Sequence, residues 1–511
     1  MVQDDVIDDV TVVGGGDSGL LTALILQRVN PALDVEVVDD FQRDVPQVGK
    51  STYSTILEIL HNTLEIPRDR FLEEVRPVFK GSVFFRDWCD DPPFHYPFDL
   101  PAKFPEVDDV DATEKYAYMY EQVGDTEGYR SVGQALADRN KSAYTYDPGQ
   151  GGYDGYDQVA YHLNTERFND FLRTLCRERG VSLVDDEIVD VETSGAHIDA
   201  VRSERQAYHA DLFVDATGFD RVLKRHQDGE FREFDFPLDS AFNVRVDRDG
   251  GLDDVISATV VDSGDHGWFW TIDTFDNRDR GYVFASDYVD DEKALEEFLH
   301  ELPDEVDPDD VAKYTFDSGY FEETWQANCL AIGNAAGFVE PLQSTGLTAN
   351  AQAAVNLANL LAGHGRVGDE TVRDAYNAGV QKSWESIREF IAVHYLYADG
   401  DTAFWRDTQD LERGAVVERA IELFDESGYD TKAELLRRDS TAGKLSIFNL
   451  QDFYCIIRNM GGTSEFYEAN DFAVDDEVVA ELEARFGQIQ QHVEGFVTHD
   501  ELYRGALELT D

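Results

Sequence analysis

The stretch "DVTVVGGGDSGLLTALILQRVNPALDVEVVDD", Asp9 to Asp40, decides how the rest of the chain is read. An apolar run ends at three consecutive glycines, a Leu-, Ala- and Ile-rich segment follows, and a second apolar run closes at Asp39. Strand, tight turn, helix and strand in that order make a βαβ unit. Gly14, Gly16 and Gly19 spell G-x-G-x-x-G at the strand-to-helix junction, and Asp39 stands about 20 residues beyond the last of them, where a carboxylate can accept from a ribose hydroxyl. Glycine lets the backbone approach a pyrophosphate, which then meets unpaired N–H groups and the positive end of the helix dipole. Gly14, Gly16, Ser18, Gly19 and Asp39 are therefore candidate dinucleotide contacts. The competing reading is a glycine-rich turn in an ordinary packed βα unit.

A chain of 511 residues, 42% hydrophobic and 12% aromatic, can fill the cores of two or three domains. Its 105 Asp and Glu against 43 Lys and Arg leave a formal charge of -62, which argues against nucleic acid or an anionic membrane as partner. The acidic residues are scattered through periodic apolar segments such as "EKALEEFLHEL", Glu292 to Leu302, so they read as a solvated coat and not as disorder. At molar salt the Debye length shrinks to about 3 Å and the self-repulsion fades, so the expected setting is a salt-loaded, halophilic cytoplasm. Cys89, Cys176, Cys329 and Cys455 lie far apart, with neither disulfide-framework nor zinc spacing, and no metal site is expected. The N-terminus "MVQDDVIDDV" has no basic leader region and no segment approaches 18 uncharged apolar residues, which predicts a cytoplasmic protein without a membrane span.

A second nucleotide-fold block reads "YHLNTERFNDFLRTLCRERGVSLVDDEIVDVE", Tyr161 to Glu192, followed by "ADLFVDATGFD", Ala210 to Asp220. From about 236 to 290 the period is two ("SAFNVRVD", "VISATVV", "HGWFWTIDTF", "RGYVFASDYV"), which predicts an antiparallel sheet. The expected layout is a cofactor fold in three segments, 1–85, 161–230 and 311–385. A Tyr-, Pro- and Gly-rich insertion at 86–160 and a sheet domain at 231–310 interrupt it, and a helical region at 386–511 follows.

"DLFVDATG", ending at Gly218, and "AIGNAAGFVEP", Ala331 to Pro341, are further strand-to-glycine turns. Three such motifs in this order resemble the FAD-dependent monooxygenase-like superfamily. The resemblance implies an α/β fold, with a Rossmann-like FAD domain of the GR2 type, an interleaved antiparallel-sheet substrate domain and a mainly helical C-terminal region. It also implies flavin contacts at Gly218, Gly333, Asn334, Gly337 and Pro341. Asn334 stands where the family usually has Asp, so an amide replaces a carboxylate toward the flavin side chain.

Within that superfamily, several segments are similar to flavin-dependent halogenases of the tryptophan-halogenase type. "FKGSVFFRDW", Phe79 to Trp88, resembles the segment with the family's catalytic lysine, here Lys80. "GWFWTID", Gly267 to Asp273, resembles W-x-W-x-I-P, with Asp273 in place of proline. "VGKSTYSTI" (Val48 to Ile56, with Lys50 where an acid is usual) and "FIAVHYLYADGDTAFWRD" (Phe390 to Asp407) also look like family segments. The implied chemistry uses FAD as FADH2, O2 and chloride or bromide to make hypohalous acid, which Lys80 holds and delivers to an electron-rich aromatic ring. A primary amine is needed, so arginine would not substitute; the alternative for Lys80 is an ordinary exposed lysine. Trp268 and Trp270 share one face of a predicted strand, as a wall between flavin and substrate or as sheet packing. His394 in its apolar context reads as a core or pocket-wall histidine.

"FVEPLQSTGL", Phe338 to Leu347, is a loop feeding a helix N-terminus. The resemblance places halide at Ser344, Thr345 and Gly346, where backbone N–H groups converge; the alternative is a helix capped by Ser344 or Thr345. Gln343 stands where the family carries a catalytic glutamate, and an amide accepts no proton at neutral pH. An activated phenol or pyrrole substrate, another base, or lost halogenation would each follow. The implied partners are a separate flavin reductase, since no second dinucleotide motif is seen, and a small aromatic substrate, free or carrier-bound; a homodimer is left open. Two alternatives remain: a flavin monooxygenase or oxidoreductase on this scaffold, and a non-catalytic FAD-binding protein.

Overall fold

The computed structural model describes residues 6–506 except 44–47, 89–91, 100–130, 148–151, 249, 367, 428–447, 449 and 470–475. Most of the expected insertion, and Cys89, therefore lie outside the described residues. The chain divides into two compact units: 1–76, 163–234 and 316–385 form the first, and 77–162, 235–315 and 386–511 the second.

The first unit is built on a six-stranded sheet. Strand β1 (Asp9–Val13) pairs in parallel with β2 (Asp34–Asp39) on one side and with strand Leu212–Asp215 on the other. Strand Ser182–Asp185 extends the sheet beyond β2, and Cys329–Ala331 and then Trp325–Gln326 extend the other edge. Near-continuous burial of β1 and Leu212–Asp215 is what a parallel sheet covered on both faces demands. Helix α1 (Asp17–Val29) buries Leu20, Leu21, Leu24, Ile25 and Leu26, and packs against the helix Gly346–Gly363, whose alanines 349, 351, 354 and 358 permit close approach.

The second unit carries a seven-stranded sheet in the order 312–315, 240–246, 278–284, 267–273, 258–264, 82–86 and 94–97. Every neighbouring pair is antiparallel except 258–262 with 82–86. Phe242, Phe269, Tyr282, Phe284 and Phe298 fill the core on one of its faces. A smaller antiparallel pair joins Val78–Lys80 to Ala160–His162. Helices at 132–138, 291–300, 403–408, 415–427, 450–459, 465–469, 476–494 and 499–506 also belong to the unit.

The mixed α/β architecture with a parallel nucleotide-type sheet and a separate antiparallel sheet is the one the sequence predicts. The edge of the first segment, expected near residue 85, falls at 76/77. The reason is pairing: Val78–Lys80 and Ser82–Arg86 hydrogen-bond to strands of the second unit. Segments 86–160, 231–310 and 386–511, expected as three regions, cluster as one unit apart from small shifts at their edges. Among the described residues no helix is long and apolar enough to cross a membrane.

Candidate active site

In the first unit the three glycine motifs converge. A Cβ on Gly14 would lie 2.4 Å from the Ala216 carbonyl oxygen, and one on Gly19 would lie 2.0 Å from that of Gly14, so these glycines are demanded by the protein's own packing. Gly16 differs. A Cβ there would meet nothing within 4 Å, and Gly16 is the N-cap of α1, with no side chain to cap it. The helix therefore offers first-turn N–H groups into open space, the cradle a pyrophosphate fits. Asp215 ties the second motif down by accepting from the Thr217 hydroxyl (2.6 Å) and from the Leu223 and Lys224 amides (2.8 and 2.7 Å). Gly218 turns in the left-handed region at φ 65° with open space beside it. Gly333 (φ 66°) packs its Cα side against Ser18, whose hydroxyl accepts from Asn350 at 3.3 Å. Asn334 is half-buried, as is Pro341.

Asp39 accepts from the Gly15 amide at 2.8 Å. Burial raises its pKa, partly opposed by hydrogen bonds from the Gly15 and Asp40 amides. Lys50, noted as a departure from the family pattern, pairs with Asp17 at 2.9 Å. Burial opposes ionisation of Asp17, but the Lys50 ammonium outweighs it and the net shift is downward. Open space at Gly16 and Gly218, an uncapped helix start and a carboxylate at the end of β2 together form a donor and acceptor set that fits FAD.

The loop Leu342–Ser344 holds Gln343 at φ 66°, ψ 0° and Ser344 at φ 58°, two adjacent non-glycine residues in the left-handed region. Each costs on the order of 1 kcal/mol, so surrounding structure must impose this turn. Gln343 and Thr345 are buried, whereas Ser344 and Gly346 are partly open. Thr345 occupies the N-cap of the 18-residue helix Gly346–Gly363 but makes no cap hydrogen bond with its side chain. Side-chain capping by Thr345, one alternative for this stretch, is thus absent, and a Cβ at Gly346 would meet nothing within 4 Å.

In the second unit Lys80 is fully buried, not an exposed lysine. Its ammonium position lies 5.1 Å from the centroid of Phe98, and burial drives its pKa well below the ordinary lysine value. Trp268 and Trp270 share one face of the strand Gly267–Asp273, with ring centroids 6.0 Å apart, and Trp270 donates to Asp279 at 2.9 Å. Phe269 points to the other face, against Tyr282 at 4.2 Å. Two segments that resemble the family meet here: Trp88 donates its indole N–H to the His394 carbonyl at 2.8 Å and stacks edge-on to Trp405. His394 is buried, and desolvation lowers its pKa to about 3, as a core histidine requires.

Asp273, where the family pattern has proline, closes an ion pair. Arg278 donates Nε to one of its oxygens at 2.8 Å and a terminal nitrogen to the other at 2.9 Å, and the Ile256 amide donates at 2.7 Å. Asp273→Ala should therefore cost about 3 kcal/mol, since it strands the Ile256 amide and leaves a mostly buried guanidinium with only the Asp254 carbonyl (2.9 Å) and carboxylate (3.6 Å). Urea unfolding should show that loss, with much of it recovered in Asp273→Ala/Arg278→Met.

Sequence reading passed over His162, buried beside Lys80, and the Asp273–Arg278 pair. It also expected no metal site. Asp265, His266 and Glu297 nevertheless bring three potential ligand atoms within 4.8 Å of one another. Glu297 is already engaged there by His266 at 3.1 Å and by the Tyr282 hydroxyl at 2.8 Å, so the group reads as a surface hydrogen-bond cluster. Buried free thiols occur at Cys176, Cys329 and Cys455.

A three-motif Rossmann-like fold with a cradle suited to FAD defines a flavoprotein, and the match to known proteins names its class. The family model for tryptophan halogenase aligns with residues 9–476, and the chain belongs to that family of flavin-dependent halogenases. Tryptophan 6-halogenase SttH of Streptomyces toxytricini is 29% identical over 432 residues, covering 79% of this chain and 81% of that protein. Tryptophan 7-halogenase RebH of Lentzea aerocolonigenes is 24% identical over 489 residues, 89% and 90% of the two chains. Among solved structures, Tar14, a tryptophan C-6 flavin-dependent halogenase (chlorinase) from taromycin biosynthesis, superposes with TM-score 0.84 at 27% identity, covering 98% of this chain and 100% of that one.

Proposed function

We propose that this protein uses FADH2, O2 and chloride or bromide to halogenate an electron-rich aromatic ring through Lys80. The observation that carries the reading is a lysine buried completely in a chain of the halogenase family. Bound at Gly14, Gly16, Ser18, Gly19, Asp39, Gly218, Gly333, Asn334, Gly337 and Pro341, the reduced flavin would activate O2, and O2 would supply the oxidising equivalents that convert halide to hypohalous acid. Ser344, Thr345 and Gly346 would hold the halide, Thr345 and Gly346 with N–H groups at the start of their helix and Ser344, whose own amide donates to the Pro341 carbonyl at 3.0 Å, as part of the wall. Lys80 without its proton has a lone pair to take the halogen, and burial favours that state. Trp268 and Trp270 would wall the path to the substrate.

Gln343 cannot accept the ring proton. The best-supported substrate is therefore a ring activated by its own donor, a phenol or pyrrole, free or attached to a carrier. A separate flavin reductase would supply FADH2. The test is mass spectrometry of an aromatic panel incubated with FADH2, O2 and chloride or bromide. Halogen isotope patterns on phenols and pyrroles are expected, whereas hydroxylated products alone would favour the monooxygenase reading, which the missing carboxylate keeps alive. Gln343→Glu should raise turnover on indole about tenfold while leaving phenols little changed, as expected when a proton acceptor is restored to a limiting step.

The acidic coat is best explained by a salt-rich cytoplasm. With a charge of -62 to screen, the thermal midpoint should rise by about 10 °C or more between dilute buffer and molar potassium chloride. A flat salt response would remove that setting.

A further inference from the structure

Asp17 is the first residue of α1 and follows Gly16, the N-cap beside which the cradle is open. A carboxylate at that place answers to two opposed demands. It suits the positive end of the helix dipole, and it accepts from the Ser18 hydroxyl at 3.2 Å. It does not suit a diphosphate, whose negative charges would lie against the same turn. Lys50 meets this carboxylate with Nζ 2.9 Å from Oδ2, and the side chain of Asp17 is 13% exposed against 36% for that of Lys50. The strand that carries Lys50 is held on both sides within the first unit. Thr165 donates its hydroxyl to the Val48 carbonyl, and the Tyr53 amide donates to the Thr348 hydroxyl at 3.2 Å. The ammonium thus reaches the helix start from a fixed base, uses one of its three N–H donors on Asp17 and stays open to solvent.

We propose that Lys50 is a binding residue for the diphosphate of the cofactor: one ammonium that cancels the Asp17 carboxylate and donates to a phosphate oxygen at the start of α1. The proposal rests on the reading of this cradle as the FAD site. A chain with a formal charge of -62 repels a dianion at every approach, so the dianion needs a cation at the point of contact. The other charged groups around the motifs leave that task to Lys50. Asp39 is a second acid, at the end of β2, and accepts from the Gly15 amide. Arg43 is paired with Asp220 at 3.4 Å, and both are well exposed. Arg173 lies over the Phe41 ring, 5.1 Å from its centroid, and pairs with Asp170 at 3.3 Å. Without Lys50, the helix start would present a mostly buried carboxylate to the diphosphate; with it, the pair is neutral and donors are left over. An acid at 50, usual in the family pattern, would here face Asp17, so this chain carries the cation and the carboxylate as a set.

Three ligands of the full-length apoprotein separate charge from fit: FAD, ADP, which has a diphosphate and no flavin ring, and riboflavin, which has the ring and no phosphate. Calorimetry reads ADP and flavin fluorescence reads the other two, in mildly alkaline buffer of low salt, where Asp17 stays charged. Lys50→Met should weaken FAD and ADP at least about thirtyfold, the scale of a lost charge-assisted hydrogen bond with a like charge uncovered, and leave riboflavin within about twofold. Lys50→Arg should keep most of the affinity. Asp17→Asn retains the shape and the cation and removes the repulsion, so it should tighten ADP by about threefold or more. The ADP difference between wild type and Lys50→Met should shrink in molar potassium chloride, where the Debye length is about 3 Å. FAD and ADP affinities unchanged in folded Lys50→Met, or a loss shared equally by riboflavin, would overturn the proposal. Should that variant not fold, Asp17→Asn decides, and ADP held no tighter than by the wild type would overturn it as well. A wild type that binds ADP but not FAD would leave Lys50 on the diphosphate and sink the flavin reading alone; one that binds neither would defeat both.

Discussion

Lys80→Ala should abolish halogenated product, a loss on the order of 10³-fold or more, equivalent to about 4 kcal/mol of barrier, while FAD binding persists. Lys80 belongs to the second unit and the glycine motifs to the first, so the cofactor site is not itself altered by the substitution. Truncating a buried side chain leaves a cavity, but it also removes a group whose burial disfavours its charged form. Lys80→Met separates these effects by retaining most of the volume without the amine, and it should be equally inactive. Lys80→Arg should be inactive too, because a guanidinium stays protonated and offers no lone pair. Halogen isotope patterns in the product and flavin fluorescence titration measure the two halves of the expectation. Halogenated product surviving in Lys80→Met would remove the amine from the mechanism.

Gly16→Ala and Gly19→Ala should part ways. A methyl group on Gly19 would sit 2.0 Å from the Gly14 carbonyl oxygen, backbone against backbone, and α1 could keep its place only by shifting. Overpacking of that kind costs about 1–3 kcal/mol or more, so Gly19→Ala should lower the unfolding midpoint and weaken flavin binding together. Gly16 has no protein atom within 4 Å of its would-be Cβ. Gly16→Ala should leave the unfolding midpoint of the apoprotein unchanged yet weaken FAD at least about thirtyfold, roughly 2 kcal/mol, by filling the cradle at the helix start. Thermal unfolding of the apoprotein and flavin titration distinguish the cases. Wild-type affinity in Gly16→Ala would mean that the pyrophosphate does not lie where the turn leaves room.

How much was legible depended on whether a residue's task was local. The βαβ opening could be read because glycines answer to demands of neighbouring backbone, and apolar runs report their own burial. The period-two stretch from about 236 to 290 announced its sheet for the same reason. Lys80 was found through its surrounding segment, but its complete burial comes from three-residue pairing with a strand some 80 positions away, which no local pattern displays. His162 was hidden because one histidine in an apolar strand looks like any core histidine; only the register with Val78 shows whose neighbour it is. Gln343 was visible as a departure, while the left-handed turn at Gln343 and Ser344 was not, since neither residue type signals it. Asp273 and Arg278 looked unrelated until the hairpin joined them.

The ion pair at Asp273 also constrains how this chain can change. Placing at 273 the proline of the family pattern would remove the carboxylate that Arg278 and the Ile256 amide share, so that single change should destabilise the chain. Arg278 must change first or together with it. A segment grafted onto this chain across position 273 must therefore bring a counterion for Arg278 with it.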